Sequence, residues 1–337
     1  MKTIFLFCCT ILILGSCSNP QTFDVLIKNG QIVDGSGSSS YIGDVGINAD
    51  TIAALGDLQG AKGTLEIDAT GLVVAPGFIN MLSWAVESLI EDGRSISDIK
   101  QGVTLEVFGE GNSMGPWNEE MKNEELKMQS DIKFPINWTN LSEYLDYLVE
   151  KGISTNVASF IGATTVRIHE LGYEDRAPTL EELEAMKKLV RQAMEEGALG
   201  VGSSLIYAPA FYASTEELIE LCKVAAEYDG LYISHMRSEG GRLLESLDEL
   251  IRIADEADIR AEVYHLKMSG RDNWNKFDAV VAKIDSARAA GLEITTDMYN
   301  YVAGATGLDA SMPPGFRKEA MKNGRNVFKT LPFEPAY

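Results

Sequence analysis

The chain has 337 residues, 45% of them hydrophobic, which supports a sizeable core and excludes an intrinsically disordered chain. Lys and Arg total 29 against 50 Asp and Glu, a net charge of −21 at pH 7. So acidic a surface repels nucleic acid and anionic lipid, and no stripe of basic and aromatic residues offsets it, so neither is expected as a partner.

The first 17 residues read as a processing signal. Lys2 supplies a short positive region, and Ile4 to Leu14 is apolar but too short to span a bilayer. Leu14-Gly15-Ser16-Cys17 has the form of a bacterial lipobox, in which Cys17 is acylated and becomes the new N-terminus. The other reading is a plain secretory signal cleaved nearby. With lipid on Cys17, membrane association is through the anchor alone. Ser18 rather than Asp follows, so the expected location is the outer membrane of the bacterial envelope, facing the periplasm. With Cys8, Cys9 and Cys17 set aside, Cys222 remains on an amphipathic stretch and reads as a core residue without a disulfide framework.

After a short tether, the alternating run Asp24–Ile27 reaches Asn29-Gly30, a hairpin signal, and returns as Gln31–Val33. Further short strands are expected at Gly43–Asn48, Thr51–Leu55 and Thr64–Ile67. From Leu72 the rhythm changes to alternating strands and helices. Strands are expected over 72–82 and at Thr104–Gly109, Thr155–Gly162, Leu199–Leu205, Leu231–Met236, Glu262–Met268 and Glu293–Tyr301. Thr179 with Glu182 and Ser214 with Glu217 read as capping boxes, and Gly197 and Gly230 as helix stops. Such alternation predicts an α/β fold with a parallel sheet. Residues 112–140, rich in Met, Trp and Glu, are either a lid over the strand ends or a surface excursion. Seven strands are visible where eight close a barrel. The basic, weakly patterned residues 315–337 read as an atypical tail marking a truncation. An unclosed barrel exposes strand edges, so aggregation or oligomerisation is expected.

The chain has three histidines, and two of them end successive strand-like runs, Leu231–His235 and Ala261–His265. In a (β/α) barrel such ends face one mouth, so His235 and His265 can share a metal ion. Lys267, two residues beyond His265, leaves a strand on the same face. It is either a cation for a substrate carboxylate or half of an ion pair at the barrel rim. His169 reads as a surface or packing histidine.

Six segments then occur in order: Gly102-Val103-Thr104-Leu105-Glu106-Val107, Gly197-Ala198-Leu199-Gly200, Leu205-Ile206-Tyr207-Ala208-Pro209, His235-Met236-Arg237, His265-Leu266-Lys267 and Asp297-Met298-Tyr299-Asn300-Tyr301. From about Phe23 to Pro314 the chain resembles the N-acyl-D-amino-acid deacylase (D-aminoacylase) branch of the amidohydrolase superfamily. The resemblance implies a (β/α)8 TIM-like barrel, here apparently without strand eight, joined to a small β-sandwich built from both chain ends. The expected organisation is a lipoprotein signal at 1–17, the N-terminal sandwich part at 18–71, the barrel at 72–314 and the tail at 315–337.

The resemblance also implies one tightly held zinc ion on His235 and His265. The third ligand in the family comes from the second strand and is usually Cys; a one-residue gap places Glu110 there. Two histidines, a carboxylate and an open position suit a zinc hydrolase. Two departures stand out. Where the family reads Pro-Gly-Phe-Ile-Asp-x-His-x-His, this chain has Leu82 and Trp84 at the histidine positions, so a second metal site is not expected. The family's general base is an Asp at the end of strand eight, so the catalytic base is unassigned here, with Asp297 as the fallback. Lys267 and Tyr299 map to positions that hold the substrate carboxylate, and Tyr207 lies near the substrate; both tyrosines can equally be packing aromatics. Arg237 is expected to orient loop carboxylates. In the strand-seven loop, Ala303-Gly304-Ala305-Thr306 lacks a family hydroxyl.

The expected function is hydrolysis of a linear amide, N-acyl-D-amino acid to carboxylate and D-amino acid, with small-molecule substrates and a truncated form that is inactive if its base is missing. Two alternatives stay open: a non-catalytic surface lipoprotein binding D-amino-acid or peptidoglycan fragments, and a hydrolase of a related cyclic amide or isoaspartyl dipeptide.

Overall fold

In the first part of the chain, β-branched and aromatic residues alternate with polar ones, and that period of two builds a sheet. The structure is a computed structural model that describes residues 20–301, 303, 304 and 306. The signal, Cys17 and the tail at 315–337 lie outside the described residues. Two units divide at Gly77 and Phe78.

The first unit contains β1 (Thr22–Ile32), β2 (Tyr41–Asn48), β3 (Thr51–Gly56), β4 (Lys62–Asp68) and β5 (Val73–Val74). Sheet order is β3-β2-β1-β4, with β5 also on β1. Phe23, Leu26 and Ala61 are its buried cluster. The Asn29-Gly30 hairpin does not form. Asn29 takes φ 61°, and the pairing of β1 with β2 shifts register between Ile27 and Gly30, so the pair is a bulge inside one long strand. The expected 72–82 strand is also two pieces. Val73–Val74 pairs with β1, and the next strand begins only after Pro76-Gly77, since proline has no N–H to donate to a ladder.

The second unit alternates strands and helices: β6 (Phe78–Asn80), α1 (Ser88–Glu91), α2 (Ile96–Ile99), β7 (Val103–Phe108), α3 (Glu119–Met128), α4 (Leu141–Lys151), β8 (Asn156–Ser159), β9 (Ile161–Gly162), α5 (Ala163–Leu171) and α6 (Leu180–Glu195). Then follow β10 (Gly200–Ser204), α7 (Thr215–Ala226), β11 (Leu231–His235), α8 (Leu243–Ala257), β12 (Arg260–Val263), α9 (Phe277–Ala289) and β13 (Ile294–Thr296). Strand pairing in this unit is parallel, in the orders β6-β7-β8 and β9-β10-β11-β12-β13. The expected strand Thr155–Gly162 is interrupted at Phe160, so one segment serves both sheets.

Helix ends follow local chemistry. Thr179 and Glu182 form the expected capping box on α6. Ser214 caps α7 by accepting from Glu217 N, without a reciprocal bond from Glu217. Gly197 takes φ 101° as expected, but at the end of α7 Asp229, not Gly230, adopts the left-handed turn, with φ 57°. Residues 112–140 hold α3 and send Trp117, Phe134 and Trp138 into the core, where Phe134 and Trp138 stack with centroids 6.0 Å apart. A smaller buried cluster of Val107, Phe160, Ile233 and Tyr264 lies apart from the main core, and Leu82 packs against it. Among the described residues no helix is long and apolar enough to cross a membrane.

A buried ion pair ties α5 to α7 through Arg167. Its side chain is 1% exposed, 2.6 Å from Glu217, and it also donates to the carbonyls of Glu174 and Arg176. Burial pushes the Glu217 carboxyl up, against the pull of Arg167. Removing one partner leaves a buried, uncompensated charge. Glu217→Ala is therefore expected to destabilise the fold by about 3–5 kcal/mol, read from urea unfolding.

Candidate metal centre

Three strand ends deliver the centre. His235 is the last residue of β11, Glu110 lies two residues past β7, and His265 lies two residues past β12. All three are buried, with 8% or less of each exposed. Glu110 is lifted into place by its neighbours. Gly109 has φ +105° and Gly111 φ +75°, and a Cβ on Gly109 would stand 2.5 Å from the Phe160 carbonyl oxygen. Only glycine lets the chain pass that close in that conformation.

Glu110 Oε1 is 2.9 Å from His235 Nδ1 and 3.4 Å from His265 Nε2. The ligand atoms of the three residues all lie within 4.8 Å of one another. Ligand atoms around a tetrahedral zinc ion stand roughly 3.4 Å apart, so these three residues are close enough together to share one metal ion. The two ring centroids are 4.6 Å apart and nearly perpendicular. The indole of Trp84, at a position where the resemblance places a histidine, donates to Glu110 Oε2 at 2.9 Å. That leaves Oε1 as the oxygen facing both imidazoles.

Glu239 was not singled out in the sequence. Its Oε1 is 3.0 Å from His265 Nδ1, 2.5 Å from Lys267 Nζ and 3.9 Å from His235 Nε2. A carboxylate on Nδ1 is the usual outer partner of a zinc-binding histidine and would keep a proton there when Nε2 takes a metal. Sequence spacing offered one clue: Glu239 is four residues beyond His235. Burial would raise the Glu110 carboxyl, but hydrogen bonds and charge from the two histidines outweigh it and hold it at about 2. Burial likewise opposes ionisation of Glu239, which His265, His235 and Lys267 also hold at about 2. Burial would lower His265, yet bonds to Glu110 and Glu239 lift it to about 9. The pocket thus favours a positive charge between its carboxylates.

The remaining candidates gather around this cluster. The expected strand Glu262–Met268 ends at Val263, because His265 turns away with φ 38°. Lys267 therefore lies beyond the turn at Tyr264 and His265, not on a strand face, and its Nζ is 3.0 Å from His265 Nδ1 and paired with Glu239. Tyr299 lies with its ring 6.4 Å from that of His265 and 5.5 Å from the Lys267 ammonium. Tyr207 stands 5.4 Å from the His235 ring, and its hydroxyl is 2.6 Å from Thr306 Oγ1. Arg237 grips Glu249 of α8 and the carbonyls of Phe211 and Ala213; the carboxylate it orients is on a helix, not a loop. His169 pairs with the adjacent Glu170 at 2.7 Å. A cavity of about 570 Å³ borders the centre, lined by Glu110, Trp84, Asn112, Trp117, Met121 and Glu125 among others. Segment 112–140 is thus a packed wall beside the site.

The chain is similar to several known proteins. D-aminoacylase of Alcaligenes xylosoxydans xylosoxydans is 35% identical over 292 residues, which cover 86% of this chain and 60% of that protein. N-acyl-D-glutamate deacylase of the same organism is 30% identical over 286 residues, 85% of this chain and 58% of that protein. The chain is a homologue of the D-aminoacylase amidohydrolases. It spans about 60% of the length of these curated relatives. Deacylases of this group act on carbon–nitrogen bonds other than peptide bonds.

A D-aminoacylase crystal structure described as defining a novel subset of amidohydrolases superposes with a TM-score of 0.74 at 33% identity, covering 84% of this chain and 59% of that one. The N-acyl-D-glutamate deacylase of Bordetella bronchiseptica, solved with zinc and a phosphonate mimic of the tetrahedral intermediate, gives 0.73 at 30%, covering 83% and 59%. These neighbours are amidohydrolase-fold proteins of the TIM-barrel type, and this chain shares their α/β architecture. A further D-aminoacylase structure concerns a binuclear metal centre, with one-metal activation and second-metal attenuation. No protein-family profile matches the chain.

If Glu239 orients His265, Glu239→Gln is expected to weaken zinc binding about 10–100-fold, measured by competition with a chromophoric chelator.

Proposed function

We propose that this deacylase homologue hydrolyses the linear amide of an N-acyl-D-amino acid on a single zinc ion held by Glu110, His235 and His265. The convergence of Glu110 Oε1, His235 Nδ1 and His265 Nε2 carries the reading. Zinc bound there supplies Lewis-acid polarisation of an amide carbonyl and acidifies water. A single ion is favoured because Leu82 packs against apolar neighbours and Trp84 occupies the second oxygen of Glu110.

The chain's own residues then divide the work. Glu110 and the histidines hold the ion, and Glu239 keeps the proton of His265 on Nδ1. Lys267 is the cation nearest the centre, and a substrate carboxylate would share it with Glu239. Tyr299 packs over that ammonium, and Tyr207 borders His235, so both bound the space a substrate enters. Trp84, Trp117 and Met121 line the neighbouring cavity, which is large enough for an acyl or side-chain group. The barrel and sandwich of the resemblance, and envelope anchoring through Cys17, are part of this proposal. Radiolabelled palmitate incorporation that Cys17→Ala abolishes would support the anchor.

Zinc per chain by elemental analysis tests the core of it. About one zinc is expected, with none in His235→Ala/His265→Ala. Release of D-amino acid from N-acyl-D-amino acids should follow the metal content. A folded wild type without zinc would point instead to a non-catalytic binding protein.

A further inference from the structure

We infer that Asp297 is a positioning residue: its carboxylate holds the main chain of His265 in a left-handed turn and so sets where the imidazole stands. The inference rests on the zinc-site reading above. His265 has φ +38°, a conformation a non-glycine residue keeps only when its surroundings impose it. The element that imposes it is the segment just beyond β13. Asp297 Oδ1 accepts the His265 N–H at 2.6 Å, a short hydrogen bond. The same residue's main chain donates to the Val263 carbonyl at 3.2 Å and accepts from Leu266 N at 3.1 Å. Three hydrogen bonds from one residue therefore span positions 263 to 266, and the central one ends on the strained amide.

The imidazole beyond that amide has no slack. Its Nδ1 is committed to Glu239 and its Nε2 stands 3.4 Å from Glu110. A shift of the His265 main chain moves both contacts together. Asp297 is thus used as a hydrogen-bond acceptor for the backbone. That role separates it from a general base, because an asparagine retains the acceptor and loses the basicity.

The test is Co²⁺ binding to the full chain, followed by the visible absorption of the bound ion, for wild type, Asp297→Asn and Asp297→Ala. Wild-type affinity and spectrum are expected to survive in Asp297→Asn. In Asp297→Ala, affinity should fall about 10–100-fold, as when an outer partner of a metal-ligating histidine is lost, with an altered cobalt spectrum. Should the alanine variant not fold, Asp297→Glu, which moves the acceptor by one methylene, carries the same expectation of weakened binding and a changed spectrum. A folded Asp297→Ala or Asp297→Glu with wild-type affinity and spectrum overturns the inference and leaves the zinc site standing. Loss of cobalt binding in Asp297→Asn overturns it too, since charge rather than the acceptor would then matter. A wild type that takes up no cobalt removes the zinc-site reading and this inference together.

Discussion

Everything at the candidate centre depends on one carboxylate oxygen placed between two imidazoles. Glu110 Oε1 has to reach both His235 and His265, which stand 125 and 155 residues further along the chain. Parallel pairing makes that possible. Ser204 pairs with His235, and Ser234 with Val263, so β10, β11 and β12 end at nearly the same height. Glu110 then arrives from the other sheet across Gly109 and Gly111. The glycines' freedom, the shared height of the strand ends and the burial of all three side chains are one requirement seen from three sides.

A second layer of charge keeps this arrangement tolerable. Buried carboxylates are costly unless partnered, and here each has hydrogen-bonding partners. Glu110 faces both histidines, while Glu239 faces His265 and Lys267. The strongly acidic chain thus keeps a local balance at its centre, and Arg167 with Glu217 repeats the device deep under α5 and α7.

Much of this was legible in the residues. Histidines at the ends of two alternating runs signalled their own convergence, because strand periodicity and parallel pairing are local and general. What was not legible depended on backbone geometry. The Asn29-Gly30 pair carries the same signal in a hairpin and in a bulge, and only the partner strand decides. The expected strand Thr155–Gly162 breaks at Phe160 because its two halves pair in different sheets. Lys267 seemed to follow a strand face, yet the left-handed turn at His265 ends that alternation. Glu239 was missed because its spacing from His235 in a Gly-rich loop is a weak signal; its role comes from a distance of 3.0 Å to a histidine 26 positions on.

Cys222 on α7 carries a last consequence. It is fully buried, its thiol is pushed up by that burial, and among the described residues it is the lone cysteine. Thiolate, not thiol, reacts with alkylating reagents, so in the native protein this sulfur is silent on two counts. Its labelling rate would then act as a clock for how often the core around α7 opens. A single natural atom records the lifetime of the closed fold, without any introduced probe and without touching the candidate centre.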